Sequence, residues 1–379
     1  MKNHLAAILY VGFLLLALRV QAGSDVTPAQ GADAAAQIER ANGALNHYRA
    51  SGRAAFLDEA QMAVSAALRQ APDNYLAQRS EVAVLLARRA DHAALARISA
   101  LNRRFPDDVD TYALLIDASL SLGRYAEAER DTQRLLDLRP DNVPGLIRAA
   151  RLRELYGDWQ GAIDLINASL NRSTEDEREP RAHLYTQLAR LHFGAGHEEV
   201  SRQALEAALA ALPDYPPALM EGVRAARLRG AHAQALHMAR HLYRVSPGEG
   251  ELLVLARATA AAGAALQAAP MFRDFASRAH AIAARDENAN LALSSYYAYE
   301  GRDVARAVSF AASARAQRAD VDTLLTYATA LHRAQRDSEA RDVIAALGRL
   351  GYRDADFLAL AGELHVTVAS ANDATFDIP

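Results

Sequence analysis

The sequence predicts an all-α protein, a right-handed α-solenoid of about nine helical hairpins that ends in a capping helix. One observation is a 34-residue stretch, residues 109–142, with two apolar stripes at helical spacing. Gly123 separates the stripes and Pro140 follows the second, so a tight turn joins two helices. A second observation is that prolines recur 34 residues apart. They are Pro72, Pro106 and Pro140, and then Pro213 and Pro247.

Small residues keep the same interval where the two helices of each hairpin approach most closely. These residues are Ala60, Ala94, Ala128, Ala162, Ser201, Ala235, Ala269 and Ala340. A 34-residue hairpin with these landmarks resembles the tetratricopeptide repeat (TPR). Within residues 109–142 the TPR landmarks are Tyr112, Leu115, Gly123, Ala128, Leu135 and Pro140, and the pattern is broken at Ile116. The resemblance implies a superhelix whose first helices line a concave face.

Composition excludes several classes of protein. The 379 residues include no cysteine, which excludes disulfides, thiolate catalysis and cysteine-based metal or iron–sulfur sites. The formal net charge of −4 argues against a general nucleic-acid binder, so no nucleic-acid partner is expected. Lys2 is the only lysine, so nearly all cationic side chains are arginine.

Residues 1–22 have the pattern of a secretory signal peptide. A short polar start is followed by 14 apolar residues, 5–18, and by a small-residue cleavage site that ends at Ala22. This apolar run is shorter than the roughly 20 residues that a membrane-spanning helix needs. We therefore expect cleavage after Ala22, export to the periplasm of a Gram-negative bacterium and no membrane span in the mature chain. An uncleaved N-terminal segment that tethers the protein is the alternative.

The repeat frame divides the rest of the chain. We expect a linker at residues 23–33, an N-terminal TPR array at residues 34–176 and a charged loop insertion at residues 177–181. Residues 182–366 are expected to form a C-terminal array with a capping helix near its end, followed by a flexible tail at residues 367–379. Pro270 falls where the interior of a second helix is expected, so this helix is predicted to begin near Pro270.

Motifs for catalysis are missing from the sequence. It contains no P-loop, no GxSxG elbow, no HExxH motif and no glycine-rich dinucleotide turn, so no enzymatic activity, catalytic residue or cofactor is predicted. The nearest metal pattern is His237 and His241, one helical turn apart, with His232 upstream. A metal site would need another ligand from elsewhere in the chain. Solvent-exposed histidines are the alternative interpretation, and a catalytic hypothesis would depend on this cluster alone.

Arginine recurs at one position of the repeat. The TPR resemblance implies that position 9 of each first helix faces the concave groove, and three consecutive units place Arg151, Arg190 and Arg224 there. Arg227 adds a fourth arginine at position 12. A row of guanidinium groups suits carboxylates, because each planar fork can donate two hydrogen bonds. The alternative is that these arginines reflect composition and pair within their helices, as Glu154 can with Arg151.

The predicted function stays at the level of a class, because repeat scaffolds bind many kinds of partner. The resemblance to exported TPR proteins implies a non-enzymatic periplasmic scaffold or adaptor that holds protein components of a cell-envelope complex together. Polysaccharide export, pilus assembly and cytochrome biogenesis are the pathways that the resemblance suggests. The alternative is direct binding of an anionic polysaccharide or an acidic peptide in the arginine-lined groove.

Overall fold

The computed structural model describes residues 28–283 and 289–368. The predicted signal peptide, residues 23–27 of the predicted linker and residues 369–379 of the predicted tail lie outside the described residues. Nineteen α-helices and no strand are found in the described ranges. No helix in these ranges combines the length and the hydropathy that crossing a bilayer requires.

The helices pair in sequence as antiparallel hairpins. The first four pairs are α1 (Pro28–Ser51) and α2 (Ala54–Gln70), α3 (Tyr75–Ala87) and α4 (Asp91–Arg104), α5 (Val109–Ser121) and α6 (Tyr125–Leu138), and α7 (Val143–Leu155) and α8 (Trp159–Leu170). Five more follow: α9 (Arg178–Gly194) and α10 (Glu198–Ala211), α11 (Pro216–Leu228) and α12 (His232–Val245), α13 (Glu249–Ala261) and α14 (Ala265–Ala283), α15 (Asn290–Tyr299) and α16 (Val304–Gln317), and α17 (Val321–Arg333) and α18 (Asp337–Leu350). A last helix, α19 (Ala355–Glu363), caps the array. This arrangement confirms the predicted α-solenoid of nine hairpins with a capping helix.

The hairpin of α5 and α6 shows how the sequence produces the repeat. Asp108 precedes α5, and its side chain accepts hydrogen bonds from the backbone N–H groups of Asp110 and Thr111, which caps the helix. Gly123 lies between the two helices with φ of +75°, in the left-handed region that glycine adopts without steric cost. Ala128 is fully buried, and its small side chain lets the helices pack closely.

Seven of the eight predicted small residues are buried, and the exception lies in α14. Ala269 is exposed there, whereas its neighbour Ala268 is fully buried. The prediction that this helix begins near Pro270 is also wrong, because α14 begins at Ala265 and includes Pro270. The hydrogen bond that proline removes would go to the carbonyl of Leu266. That residue is 92% exposed, so water can replace the missing donor.

Two other predicted boundaries are wrong by a few residues. Helix α1 begins at Pro28, inside the predicted linker, because proline suits the first turn of a helix, where its missing N–H costs nothing. Helix α9 begins at Arg178, so most of the predicted charged loop at residues 177–181 is the first helical turn. Glu179 stabilises that turn, since a negative charge interacts favourably with the positive end of the helix dipole.

The C-terminal hairpins pack back on the turns of the N-terminal hairpins. The Val321 N–H donates to the Tyr125 hydroxyl at 2.8 Å, a contact between residues 196 positions apart. The turn glycine Gly157 lies directly against the carbonyl of Gly351. The array therefore curves until distant segments of the chain meet.

Candidate functional site

Two cavities in the described part of the chain lie on the concave face. The first, here called the arginine cavity, has a volume of ≈ 540 Å³ and lies among α5, α7 and α9. Its charged and titratable lining consists of Asp117, Arg148, Arg151, Glu154, His183 and Arg190. The second, the C-terminal cavity, has a volume of ≈ 780 Å³ and lies among α11, α13, α15, α17 and α19. Its lining includes Arg224, Arg257, Phe272, Tyr299, Leu325 and Arg333.

The predicted arginines Arg151 and Arg190 meet at one buried carboxylate. Arg151 Nη1 donates to Glu154 Oε2 at 2.7 Å, and Arg190 Nη2 lies 2.8 Å from the same oxygen. The Glu154 side chain is only 5% exposed. Burial raises the pKa of Glu154, but Arg190 and Arg151 outweigh burial and hold this pKa below its ordinary value. Two of the four predicted arginines are therefore compensated by one internal anion.

The sequence analysis missed two further groups in the arginine cavity. Arg148 donates to the carbonyl of Ala113 at 2.9 Å and forms an ion pair with Asp117. Burial, together with the nearby Arg190 and Arg148 guanidinium groups, lowers the pKa of His183 to about 4. His183 is therefore neutral at pH 7. It occupies position 2 of its repeat, a position that also faces the groove, so the repeat frame contained the signal that would have found it.

The other two predicted arginines hold the capping helix. Arg224 lies 3.2 Å from Glu221 and forms a second ion pair with Asp354, at the start of α19. Arg227 Nη2 donates to both carboxylate oxygens of Asp356 at 3.0 Å each. These partners are 130 and 129 residues away in sequence. We call the two contacts together the capping-helix contact.

All four predicted arginines thus lie along one concave surface, and each has a carboxylate of the chain itself as a partner. The pairing within a helix that the sequence left open is present between Arg151 and Glu154. Binding of an external anion by these arginines remains a prediction. An external anion would compete with carboxylates that are already in place.

The C-terminal cavity combines an apolar floor with charged walls. Phe272 and Leu325 contribute to the floor, and Arg257 is paired with Glu300 at 2.9 Å. Arg333 is different, because its guanidinium carbon lies 4.6 Å from the centroid of the Tyr299 ring. Among the described residues, no carboxylate lies within ion-pair distance of Arg333.

The repeat frame could also have pointed to this pair. Tyr299 and Arg333 both occupy position 13 of their repeats, another position that the TPR resemblance places in the groove. The sequence-based prediction of groove residues used positions 9 and 12 and did not include this pair. The signal was therefore present in the register of the repeat and was masked by the abundance of arginine.

The three candidate metal-binding histidines do not form a ligand set. His232 lines the C-terminal cavity, His237 is exposed, and His241 Nε2 lies 2.5 Å from a carboxylate oxygen of Asp214. Throughout residues 28–283 and 289–368, no three histidine, aspartate or glutamate side chains are arranged to hold a metal ion. The described residues therefore give the histidine pattern no structural support as a metal site.

Comparison with known proteins identifies the fold. No family model and no curated protein matches the sequence. The chain is similar to a structure of the APC/C hetero-tetramer Cut9–Hcn1, with 15% identity and a TM-score of 0.51 over 79% of this chain and 53% of that chain. It is also similar to a human IFIT1 dimer with m7Gppp-AAAA, with 13% identity and a TM-score of 0.50 over 82% of this chain and 78% of that chain.

A third similar structure is PilW, described as a widely conserved type IV pilus biogenesis factor, with 16% identity and a TM-score of 0.44 over 56% of this chain and 93% of that chain. The chain spans about half the length of the Cut9–Hcn1 chain that it matches. Cut9 is a TPR-repeat protein. This chain therefore has a TPR-type fold, as the spacing of its prolines and small residues predicted.

Proposed function

We propose that this protein is a non-enzymatic scaffold that binds an extended segment of a partner protein in the C-terminal cavity. The observation that carries the proposal is the cavity itself, with a volume of ≈ 780 Å³ and an apolar floor formed in part by Phe272 and Leu325. Its volume lies within the range of about 300–1,000 Å³ that is typical of ligand sites. Apolar floors ringed by polar groups are also the usual composition of protein interfaces.

The position of the cavity supports a protein partner. TPR-type arrays present extended concave surfaces, and four first helices (α11, α13, α15 and α17) and the capping helix line this cavity. Exposed Tyr299 at the cavity is the kind of side chain that dominates binding energy at protein interfaces. A flexible partner segment can follow such a curved groove more readily than a folded domain can.

Location in the periplasm and a role in a cell-envelope complex are part of the same proposal. They rest on the sequence pattern of residues 1–22, which predicts export. The measurement that tests the location is the N-terminal sequence of the mature protein together with cell fractionation. A periplasmic chain that begins at Gly23 is expected, whereas a chain that retains Met1 in the membrane fraction would favour the tethered alternative.

The second candidate function is binding of an anionic polysaccharide or acidic peptide in the arginine cavity. The composition of the lining favours it, since Arg148, Arg151 and Arg190 face only two carboxylates, those of Asp117 and Glu154. The competing observation is that Glu154 already satisfies Arg151 and Arg190. An external anion would have to displace a carboxylate that is almost fully buried, so we place this function second.

Photo-crosslinking in the native host tests the proposal. A photoreactive amino acid replaces Thr326, which lines the C-terminal cavity, or Gln187, which lines the arginine cavity. A protein adduct is expected from position 326. The variant Thr329→Trp fills the C-terminal cavity and should abolish this adduct. An adduct that survives Thr329→Trp would contradict the proposal, and a glycan adduct from position 187 would promote the second candidate.

A further inference from the structure

We infer that the segment bound in the C-terminal cavity carries a carboxylate next to an apolar side chain, and that Arg333, held on the Tyr299 ring, binds the carboxylate. This inference rests on the proposed function and specifies the chemistry of the partner. Arg333 is the last residue of α17 and Tyr299 the last residue of α15, so two neighbouring first helices bring them together. Both side chains line the cavity.

The aromatic ring holds the cation in a defined place. The Arg333 guanidinium carbon lies 4.6 Å from the Tyr299 ring centroid, within the distance of a cation–π contact. Tyr299 is 47% exposed, so the pair lies where an incoming chain can reach it. A guanidinium that stacks on a ring keeps its N–H groups free at its edge, where they can donate two parallel hydrogen bonds to a carboxylate.

The ion pairs around the cavity leave Arg333 as the arginine that can bind an external anion. Three other arginines also line the cavity, and each has a carboxylate partner: Arg224 with Asp354, Arg227 with Asp356, and Arg257 with Glu300. Arg333 has none among the described residues. A partner carboxylate at Arg333 therefore meets a guanidinium group that has no ion pair among the described residues, whereas at the other three it would displace an existing anion. The other carboxylate of the lining, Glu363, lies 3.2 Å from His332.

The apolar floor of the cavity determines which side chain can lie next to the bound carboxylate. Phe272, Leu325 and Leu360 line it, so it favours an aliphatic or aromatic side chain over a sugar or a phosphate backbone. One uncompensated cation beside an apolar floor is poorly matched to a polyanion, which needs several cations. The occupant is therefore an acidic and apolar peptide segment of a partner protein.

Binding of defined peptide pools to the purified chain tests this inference. Three pools of fluorescent octapeptides share a fixed Phe followed by Asp, Asn or Lys, with the other positions random. The wild-type protein is expected to bind the Asp pool about tenfold more tightly than the Asn pool, the difference of one charge-assisted hydrogen-bonded pair. Arg333→Gln should remove the preference, and Arg333→Glu should shift it toward the Lys pool.

The chain offers a matched control for these variants. Arg315 is also exposed and lies 5.0 Å from the centroid of an aromatic ring, that of Tyr327, but it does not line the cavity. Arg315→Gln should therefore keep the preference for the Asp pool. Circular dichroism and thermal unfolding of all variants should match the wild type, because both arginines are exposed.

The outcomes separate this inference from the function on which it rests. Equal binding of the Asp and Asn pools, abolished by Thr329→Trp, would overturn the inference and leave the proposed function in place. No binding of any pool would overturn both. Binding that appears only after residues 369–379 are deleted would assign the cavity to the chain's own segment, and self-association lost in Arg333→Glu would assign it to a second copy. Either result would overturn the choice of a partner protein.

Discussion

The arginine cavity and the C-terminal cavity lie on the same concave face, and both are lined by arginines, yet their charges are organised differently. In the arginine cavity, Arg151 and Arg190 share the buried carboxylate of Glu154. In the C-terminal cavity, three arginines are paired, but Arg333 rests on an exposed tyrosine with no carboxylate partner among the described residues. In the first cavity each arginine is therefore ion-paired within the chain, although Arg151 and Arg190 share one carboxylate, whereas the second retains an arginine that has no carboxylate partner among the described residues.

A row of like charges in a sequence therefore does not by itself define a binding site. A charge is available for recognition only when the fold leaves it without an internal partner. Buried and paired charges mainly affect folding, because loss of one partner leaves the other uncompensated. The arginine cavity should consequently respond to mutation through stability, and the C-terminal cavity through binding.

The largest loss of stability is expected from Glu154→Ala. It removes the anion that Arg151 and Arg190 share and leaves two half-buried cations without this partner, so the free energy of unfolding should fall by about 3 kcal/mol. Glu300→Ala in the C-terminal cavity serves as the matched variant. The Glu300 side chain is 20% exposed, and the loss should be about 1 kcal/mol. Urea unfolding measures both, and equal losses would break the distinction between the two cavities.

The next largest effect concerns the contact between Gly157 and Gly351, which joins distant hairpins. Gly157 and Gly196 have nearly equal φ values of +82° and +81°, but a Cβ on Gly157 would lie 2.5 Å from the Gly351 carbonyl oxygen, whereas one on Gly196 meets nothing within 4 Å. Gly196→Ala should cost about 1 kcal/mol of unfolding free energy from backbone strain alone. Gly157→Ala should cost about 1–3 kcal/mol more because of the backbone clash.

Two measurements test the two glycine variants. Urea unfolding gives the difference in stability, and small-angle scattering reports whether the superhelix opens. An increased radius of gyration is expected for Gly157→Ala alone. Identical behaviour of the two variants would mean that the contact between Gly157 and Gly351 does not hold the array closed.

An effect of intermediate size is expected on the pH dependence of stability, through His183 in the arginine cavity. The pKa of His183 is lowered to about 4 from its ordinary value of 6.5, so below pH 6.5 the unfolded chain gains a proton that the folded chain does not. The stability that neutral His183 gives the folded protein is fully present above pH 6.5 and is lost as the pH falls from 6.5 toward 4. His183→Gln should therefore reduce the loss of unfolding free energy between pH 7 and pH 5 by about 1–2 kcal/mol.

The control for this prediction is His237→Gln, because His237 is exposed on α12 and lines neither cavity. Its pH profile of unfolding free energy should follow that of the wild type. A profile for His183→Gln that also follows the wild type would show that His183 titrates normally in the folded protein.

The smallest effect concerns the capping-helix contact. The side chains of Arg224 and Asp354 are 23% and 17% exposed, whereas those of Arg227 and Asp356 are 50% and 48% exposed. Solvent screens the second pair more strongly, so double-mutant cycles should give a coupling energy of about 1 kcal/mol for Arg224 with Asp354 and about 0.5 kcal/mol or less for the exposed pair. The reverse order would contradict the stronger coupling that the lower exposure of Arg224 and Asp354 predicts.

Much of the fold could be predicted from the sequence because the repeat is specified locally. Glycine at the turn and a buried small residue in the second helix recur at the same interval, and both act within one hairpin. The prediction failed at α14, where Pro270 was taken as a helix start. A proline inside a helix is tolerated when the carbonyl that it leaves without a donor belongs to an exposed residue, and exposure depends on the neighbouring hairpins.

The site was less predictable than the fold. The repeat frame placed Arg151, Arg190 and Arg224 in the groove, and it also contained the signals for Arg333 and Tyr299. The carboxylate partners of these arginines could not be predicted from the repeat frame. Asp354 reaches Arg224 from 130 residues away, because small rotations between successive hairpins accumulate until the array returns on itself. The sequence does not specify this accumulated angle at any single position.

The central claim is that the C-terminal cavity, and not the arginine cavity, is the binding site for a protein segment. The most direct measurement titrates the Asp octapeptide pool by fluorescence polarisation against the wild type and two variants, Thr329→Trp, which fills the C-terminal cavity, and Gln187→Trp, which fills the arginine cavity. Thr329→Trp is expected to lower the affinity about tenfold or more, and Gln187→Trp to change it by less than about twofold. Binding that survives Thr329→Trp and is lost in Gln187→Trp would assign recognition to the arginine cavity instead.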